Sequence, residues 1–134
     1  MGVSHGGLNA IYIASAPSDV FHNLAAFSPS LWVIESPEYL PDPQQIAGAR
    51  RMVALVRAAT ECGGTTGFHC PMLPLTVFLS VGIPDWDVGE FEPLAEVLEA
   101  QGYPVEFHSV REGHTWSHWR GASDEMLVYF FGAD

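Results

Sequence analysis

The amino-acid sequence predicts an α/β fold, a parallel sheet flanked by helices. Three observations point to it: strand-like and helix-like stretches alternate along the chain, the strands are near-continuous apolar runs, and turn residues punctuate them. Continuous apolar runs suit strands buried on both faces, as in a parallel sheet covered by helices. The 134 residues, 48% hydrophobic and 16% charged, suffice for one globular domain with a sizeable core.

The opening stretch, GVSHGGLNAIYIASA, reads as a tight Gly-rich turn feeding a short helix through about Ser15. Leu8, Ile11 and Ile13 give that helix a largely buried character, and Pro17 and Asp19 mark its end. Asn23 to Ser28 is a short apolar run bounded by Pro29, which fits a buried parallel strand. Asp42-Pro43 supplies an N-cap and a first-turn proline for a helix through roughly Ala59, with Ile46, Met52, Val53, Leu55 and Val56 as its apolar positions. Thr60 to Met72 is a Gly-rich loop, and Leu73 to Val81 is the clearest strand. Gly82 to Val88 forms a loop at the end of that strand. Phe91 to Gln101 is an amphipathic helix with Leu94, Val97 and Leu98 on one face and Gly102 past its end. Val105 to Val110 is a further strand, residues 111–114 a loop, and a last helix runs from Thr115 or Trp116 to about Phe131.

Gly2-Val3-Ser4-His5-Gly6 satisfies G-x-S-x-G, the pattern of a nucleophile elbow. A serine on a sharp strand-to-helix turn brings the residues two before and two after it together, and glycines let them pass. The turn exposes the serine hydroxyl and aims the amides of the following helix at a developing oxyanion. Such a serine needs a base and a group to orient that base. With this elbow the order is serine, then acid, then histidine, both partners on loops after strands. Asp85 follows the strongest strand and His114 follows the last one, so order and placement agree. Asp87, two residues on, is the alternative acid.

Four blocks, GVSHGG at 2–7, FSPSLW at 27–32, VGIPDWD at 81–87 and EGHTWSHWR at 112–120, resemble the enterochelin esterase and esterase D group of α/β-hydrolases, in the order of that family. The resemblance implies an α/β-hydrolase fold and a serine carboxylic-ester hydrolase working through an acyl-enzyme. It implies Ser4 as nucleophile, His114 as general base, Asp85 as the orienting acid and the backbone N–H of His5 as an oxyanion donor. It implies no cofactor, a small-molecule ester as substrate, and a catechol-type ester among the candidates. Trp32, after a strand, is a candidate substrate contact and equally a packing residue. The strand before the elbow is expected to be missing, since the sequence starts at the elbow. Residues 1–134 are therefore expected to be the C-terminal portion of a single α/β-hydrolase domain whose N-terminal strands, and with them a second oxyanion donor, are missing. A non-catalytic remnant or interaction domain is the second reading, and an acyltransferase with the same triad the third.

Sixteen acidic residues face five arginines, with no lysine, for a net charge of −11. That charge repels phosphate backbones and anionic lipid, which argues against nucleic-acid and membrane-surface partners. No apolar run approaches the roughly eighteen residues a membrane helix needs. No basic and apolar leader opens the sequence, so the location expected is cytoplasmic. Cys62 and Cys70 either close a small loop in an oxidising compartment or stay as thiols in the cytosol. His114 and His118, four apart, have the spacing of a ligand pair, but no further ligands accompany them, and His69, Cys62 and Cys70 lack a fourth; no metal site is expected. Trp116, Trp119 and Phe130 are expected to pack the last helix onto the sheet, and Arg120 to pair with a surface acid. An incomplete sheet exposes an edge, so self-association through it is expected.

Overall fold

The computed structural model describes residues 1–14, 20–31, 74–85, 89, 91–100 and 102–132, apart from the side chain of Tyr12. The expected helix at 42–59, the loop at 60–72, Trp32, Asp87, His69, Cys62 and Cys70 lie outside the described residues. Among the described residues four parallel strands, β1 (Gly2–Val3), β2 (Asn23–Phe27), β3 (Thr76–Gly82) and β4 (Val105–Val110), form one sheet in the order β1-β2-β3-β4. Three helices accompany them among the described residues: α1 (His5–Ala14), α2 (Phe91–Ala100) and α3 (Trp116–Phe131).

The pleat sends alternate side chains to opposite faces, and two separate cores result. Leu24 and Ala26 of β2 with Val77, Leu79 and Val81 of β3 meet α1 and α2 on one face. Ala25, Phe27 and Phe78 meet Trp119, Ala122 and Met126 of α3 on the other. From Leu24 to Phe27 and from Val77 to Gly82 both faces of β2 and β3 are thus buried, which is why these stretches are apolar apart from Ser80. At the far edge β4 is half-buried, with Val105 and Phe107 toward the first core. Its Glu106 and His108 turn toward α3, where His108 lies 2.7 Å from Glu106 and 2.6 Å from Glu125.

Boundaries follow local chemistry. β3 starts at Thr76 rather than Leu73, because Pro74 has no N–H for a ladder. In α2 the buried positions are Phe91, Leu94, Ala95 and Leu98, one stripe at helical spacing, and Val97 is only half-buried. The helix closes with Gly102 at φ 90°, its N–H donating to Glu99 and that of Tyr103 to Leu98, at 2.8 and 3.1 Å. This pair of bonds is a Schellman motif. α3 begins at the N-cap Thr115, whose Oγ1 accepts from the His118 N–H at 3.4 Å.

Two expectations about helix faces are corrected. Ile13 is 50% exposed while Ile11 and Ala14 are buried, since residues 11 and 13 lie on opposite sides of a helix. Trp116 is 75% exposed and packs edge-on against Trp119 instead of the sheet; Trp119 and the half-buried Phe130 do reach the core.

Candidate active site

Ser4 sits on the turn between β1 and α1 with φ 54°, in the left-handed region that a residue with a Cβ enters at a cost of about 1–3 kcal/mol. Backbone bonds on every side hold it there. Its N–H donates to Phe27 at 2.9 Å, and its carbonyl accepts from Gly7, Leu8 and Ser30 at 2.9, 3.2 and 3.1 Å. The elbow's steric requirement is one-sided. A Cβ on Gly2 would stand 2.0 Å from the Gly6 carbonyl oxygen, whereas a Cβ on Gly6 would meet nothing within 4 Å. Glycine at position 2 is therefore what the turn demands; the symmetrical requirement read from the pattern does not hold at Gly6.

His5 opens α1, so its backbone amide stands at the positive end of the helix, where first-turn N–H groups point outward. The Ser4 hydroxyl is 3.2 Å from Ser30 Oγ, which is itself 3.5 Å from His5 Nδ1. No hydrogen bond joins Ser4 to His114 among the described contacts. Ser30 is buried at the end of β2, one turn of loop beyond Phe27.

Asp85 and His114 do come together. Asp85 is 5% exposed, and its Oδ1 lies 3.5 Å from His114 Nδ1. Its Oδ2 accepts from Ser28 Oγ at 2.5 Å and from the Gly82 N–H at 3.2 Å, so the carboxylate is held in one orientation. Ser28 is the second residue in the left-handed region, at φ 40°, and its own N–H donates to the Ser80 carbonyl at 2.7 Å. Gly82 makes the approach possible: a Cβ there would sit 2.1 Å from the Glu112 carbonyl oxygen, pushing apart the loops that carry Asp85 and His114. The His114 ring packs edge-on against Trp119, centroids 5.0 Å apart.

His118 does not face outward beside His114. It is 2% exposed, and its Nε2 lies 2.7 Å from Ser80 Oγ on β3, so the four-residue spacing does not make a ligand pair. Burial, acting against the charges of Asp85 and Glu112, lowers its pKa below 6.5. Among the described residues no group of three potential ligands could hold a metal ion, and no ion pair includes Arg120. Arg120 instead lines an apolar groove of about 510 Å³ with Val3, Phe27, Trp116 and Trp119.

The residues that sequence reasoning missed are Ser28, Ser30 and Ser80. The first two stood in view within FSPSLW, as hydroxyls closing a buried strand, a place where a polar side chain needs a specific partner. Nothing in the sequence ties Ser80 to His118, which are 38 residues apart.

No family model and no curated protein matches the sequence. Solved structures do resemble it. A ferulic acid esterase superposes with a TM-score of 0.63 at 18% identity, covering 96% of this chain and 48% of that one. The enterobactin esterase of Shigella flexneri, crystallised in the presence of 2,3-dihydroxy-N-benzoyl-glycine, superposes with a TM-score of 0.68 at 19% identity, covering 97% of this chain and 30% of that one. The chain thus spans about half and about a third of the length of these two structures. At such identities the likeness is one of fold, and with the parallel sheet flanked by helices it shows that the chain has the architecture of part of an α/β-hydrolase.

Proposed function

We propose that this chain supplies the nucleophile, base and acid of a serine carboxylic-ester hydrolase. The observation that carries the reading is the pairing of a strained elbow serine, Ser4, with a buried Asp85 carboxylate 3.5 Å from His114 Nδ1, at the same end of one parallel sheet. Strain at a serine on a strand-to-helix turn is a cost the fold sustains where exposure of the hydroxyl has a use.

In this reading His114 takes the Ser4 proton as Oγ attacks the ester carbonyl. Asp85 fixes the imidazole with its proton on Nδ1 and stabilises the imidazolium that forms. The oxyanion is met by the backbone N–H of His5, the alcohol leaves with the proton from His114, and water releases the acyl group by the reverse path. The Ser4 hydroxyl lies 3.2 Å from Ser30 Oγ, and in this reading its bond to His114 forms with substrate bound, as catalytic hydrogen bonds often tighten only then. Ferulic acid and 2,3-dihydroxybenzoyl-glycine, the compounds in the neighbours' names, are both hydroxylated aromatic acids. Esters of such acids are accordingly the substrate class to try first.

A non-catalytic role is the second reading, favoured by the hydrogen bond of Ser4 to Ser30 in place of one to His114. Hydrolysis of p-nitrophenyl esters and of methyl ferulate, with Ser4→Ala beside the native chain, separates the two. Activity lost with Ser4→Ala supports the hydrolase; a folded chain inactive on every ester supports the non-catalytic role. Transfer to an added alcohol in preference to water would mark an acyltransferase.

A further inference from the structure

His118 is the buried titratable group that this chemistry leaves unused. It lies in the first turn of α3, 2% exposed, with Nε2 2.7 Å from Ser80 Oγ. Its Nδ1 is buried too, with no hydrogen-bond partner among the described residues. Asp85, Glu112 and, less strongly, the backbone of Gly113, the residue before His114, favour a proton on the ring. A desolvated donor left wholly unmet costs about 1–3 kcal/mol, so a nitrogen in this place is expected to have a task.

The Gly113 carbonyl accepts the Thr115 N–H at 2.8 Å, which places His114 at the apex of a three-residue turn. Asp85 and Glu112 favour a charge on the His118 ring and His114 opposes it. Burial is the largest influence on the ring and keeps it neutral at pH 7, one nitrogen donating and the other accepting. Ser80 lies on β3, the strand that leads into Gly82 and Asp85. A bond from α3 to Ser80 thus references the His114 turn to the element that carries its partner.

We propose that His118 is a positioning residue: with its proton on Nδ1 directed at the Gly113 carbonyl, and Nε2 accepting from the Ser80 hydroxyl, it ties the His114 turn to β3 and sets the approach of His114 to Asp85. Its kinetic consequence rests on the serine-hydrolase reading, while its structural consequence does not. Loosening this tie displaces the base without removing it, and a displacement of about 1 Å at such a site costs up to roughly 100-fold in rate.

The test combines ring-nitrogen NMR with kinetics on the full chain, for the native protein, His118→Phe and His118→Asn, with Ser4→Ala as control. Phenylalanine keeps the ring volume alone; asparagine keeps a donor near the place of Nδ1. The expected result is a protonated Nδ1 and an unprotonated Nε2 in native His118, and His114 resonances that move in the Phe variant and return toward native in the Asn variant. On p-nitrophenyl acetate, kcat falls about 10- to 100-fold in the Phe variant at nearly unchanged KM, with partial recovery in the Asn variant. A proton on Nε2, or His114 resonances untouched in a folded Phe variant, would overturn the proposal. Should the Phe variant not fold, Ser80→Ala keeps the ring, removes its hydroxyl partner and is read in the same way. An inactive native chain, or activity that survives Ser4→Ala, sinks the hydrolase reading instead and leaves the His114 resonances to decide the positioning role.

Discussion

Single residues with unequal duties shape the elbow. A methyl group on Gly2 meets the Gly6 carbonyl at 2.0 Å, and nothing flexible stands between them. Gly2→Ala is therefore expected to lose stability by about 1–3 kcal/mol through overpacking, and Ser4 its strained geometry with it. Gly6→Ala, with open space around its Cβ inside α1, is expected to gain about 0.5–1 kcal/mol from helix propensity. Urea midpoints of the two variants, moving in opposite directions, check both; equal shifts would show that the turn is not constrained as described. The G-x-S-x-G pattern was legible in the sequence, but which glycine the turn requires depends on where one carbonyl points. Ser28 belongs to the same scale. Its hydroxyl donates to the buried Asp85 carboxylate at 2.5 Å, and Ser28→Ala is expected to cost about 1.5–3 kcal/mol, as for a hydrogen bond to a charged group.

Elements carry the pH dependence, because histidines on two of them shift in opposite directions. On β4, burial works against a charge on His108, but the hydrogen bonds and charges of Glu106 and Glu125 outweigh it and raise the pKa above 6.5. The stabilisation this gives is fully present below the unfolded value and is lost as pH rises through the raised folded value. On α3, burial lowers the pKa of His118, so its contribution is present above 6.5 and is lost as pH falls through the folded value. His108→Gln is expected to flatten the fall in thermal midpoint on the alkaline side, and His118→Gln the fall on the acid side. Midpoints measured across pH 5–8 check both signs. The joint of β3 and α3 is also where packing concentrates: Phe78, fully buried, contacts the rings of Phe27, Tyr129 and Phe130. Phe78→Ala is expected to destabilise by about 3–5 kcal/mol, read from denaturant unfolding.

At the scale of the molecule, β1 is a two-residue strand that, among the described residues, pairs on one side only, at an edge of the sheet. Apolar surface flanks that edge on both faces: Met1, Ile13 and Phe21 on the α1 side, Trp116 and Arg120 around the groove on the α3 side. Unpaired edges bordered by apolar side chains invite pairing with another chain. We therefore propose self-association through this face, seen as concentration-dependent mass in light scattering and reduced by Trp116→Lys. Mass that stays at one chain across the concentration range would reject it. No described helix is long and apolar enough to cross a membrane.

The sequence by itself determined the alternation of strands and helices, the parallel sheet, and the order in which serine, acid and histidine follow strands. Apolar runs, caps and turn residues are local signals, and β4 and α2 were readable to within a residue or so for that reason. The tertiary structure alone decided which polar groups meet. Ser28 finds Asp85 across 57 residues, His118 finds Ser80 across 38, and Ser30 finds Ser4 across 26. Such pairings depend on strand order and register, which bring the ends of β2, β3 and β4 side by side. A helical period likewise leaves open how far a helix end overhangs the sheet, and Trp116 is exposed for that reason while Trp119, one turn on, is buried. Local pattern specifies elements, whereas a site is made by side chains far apart in sequence, and only packing sets their distances.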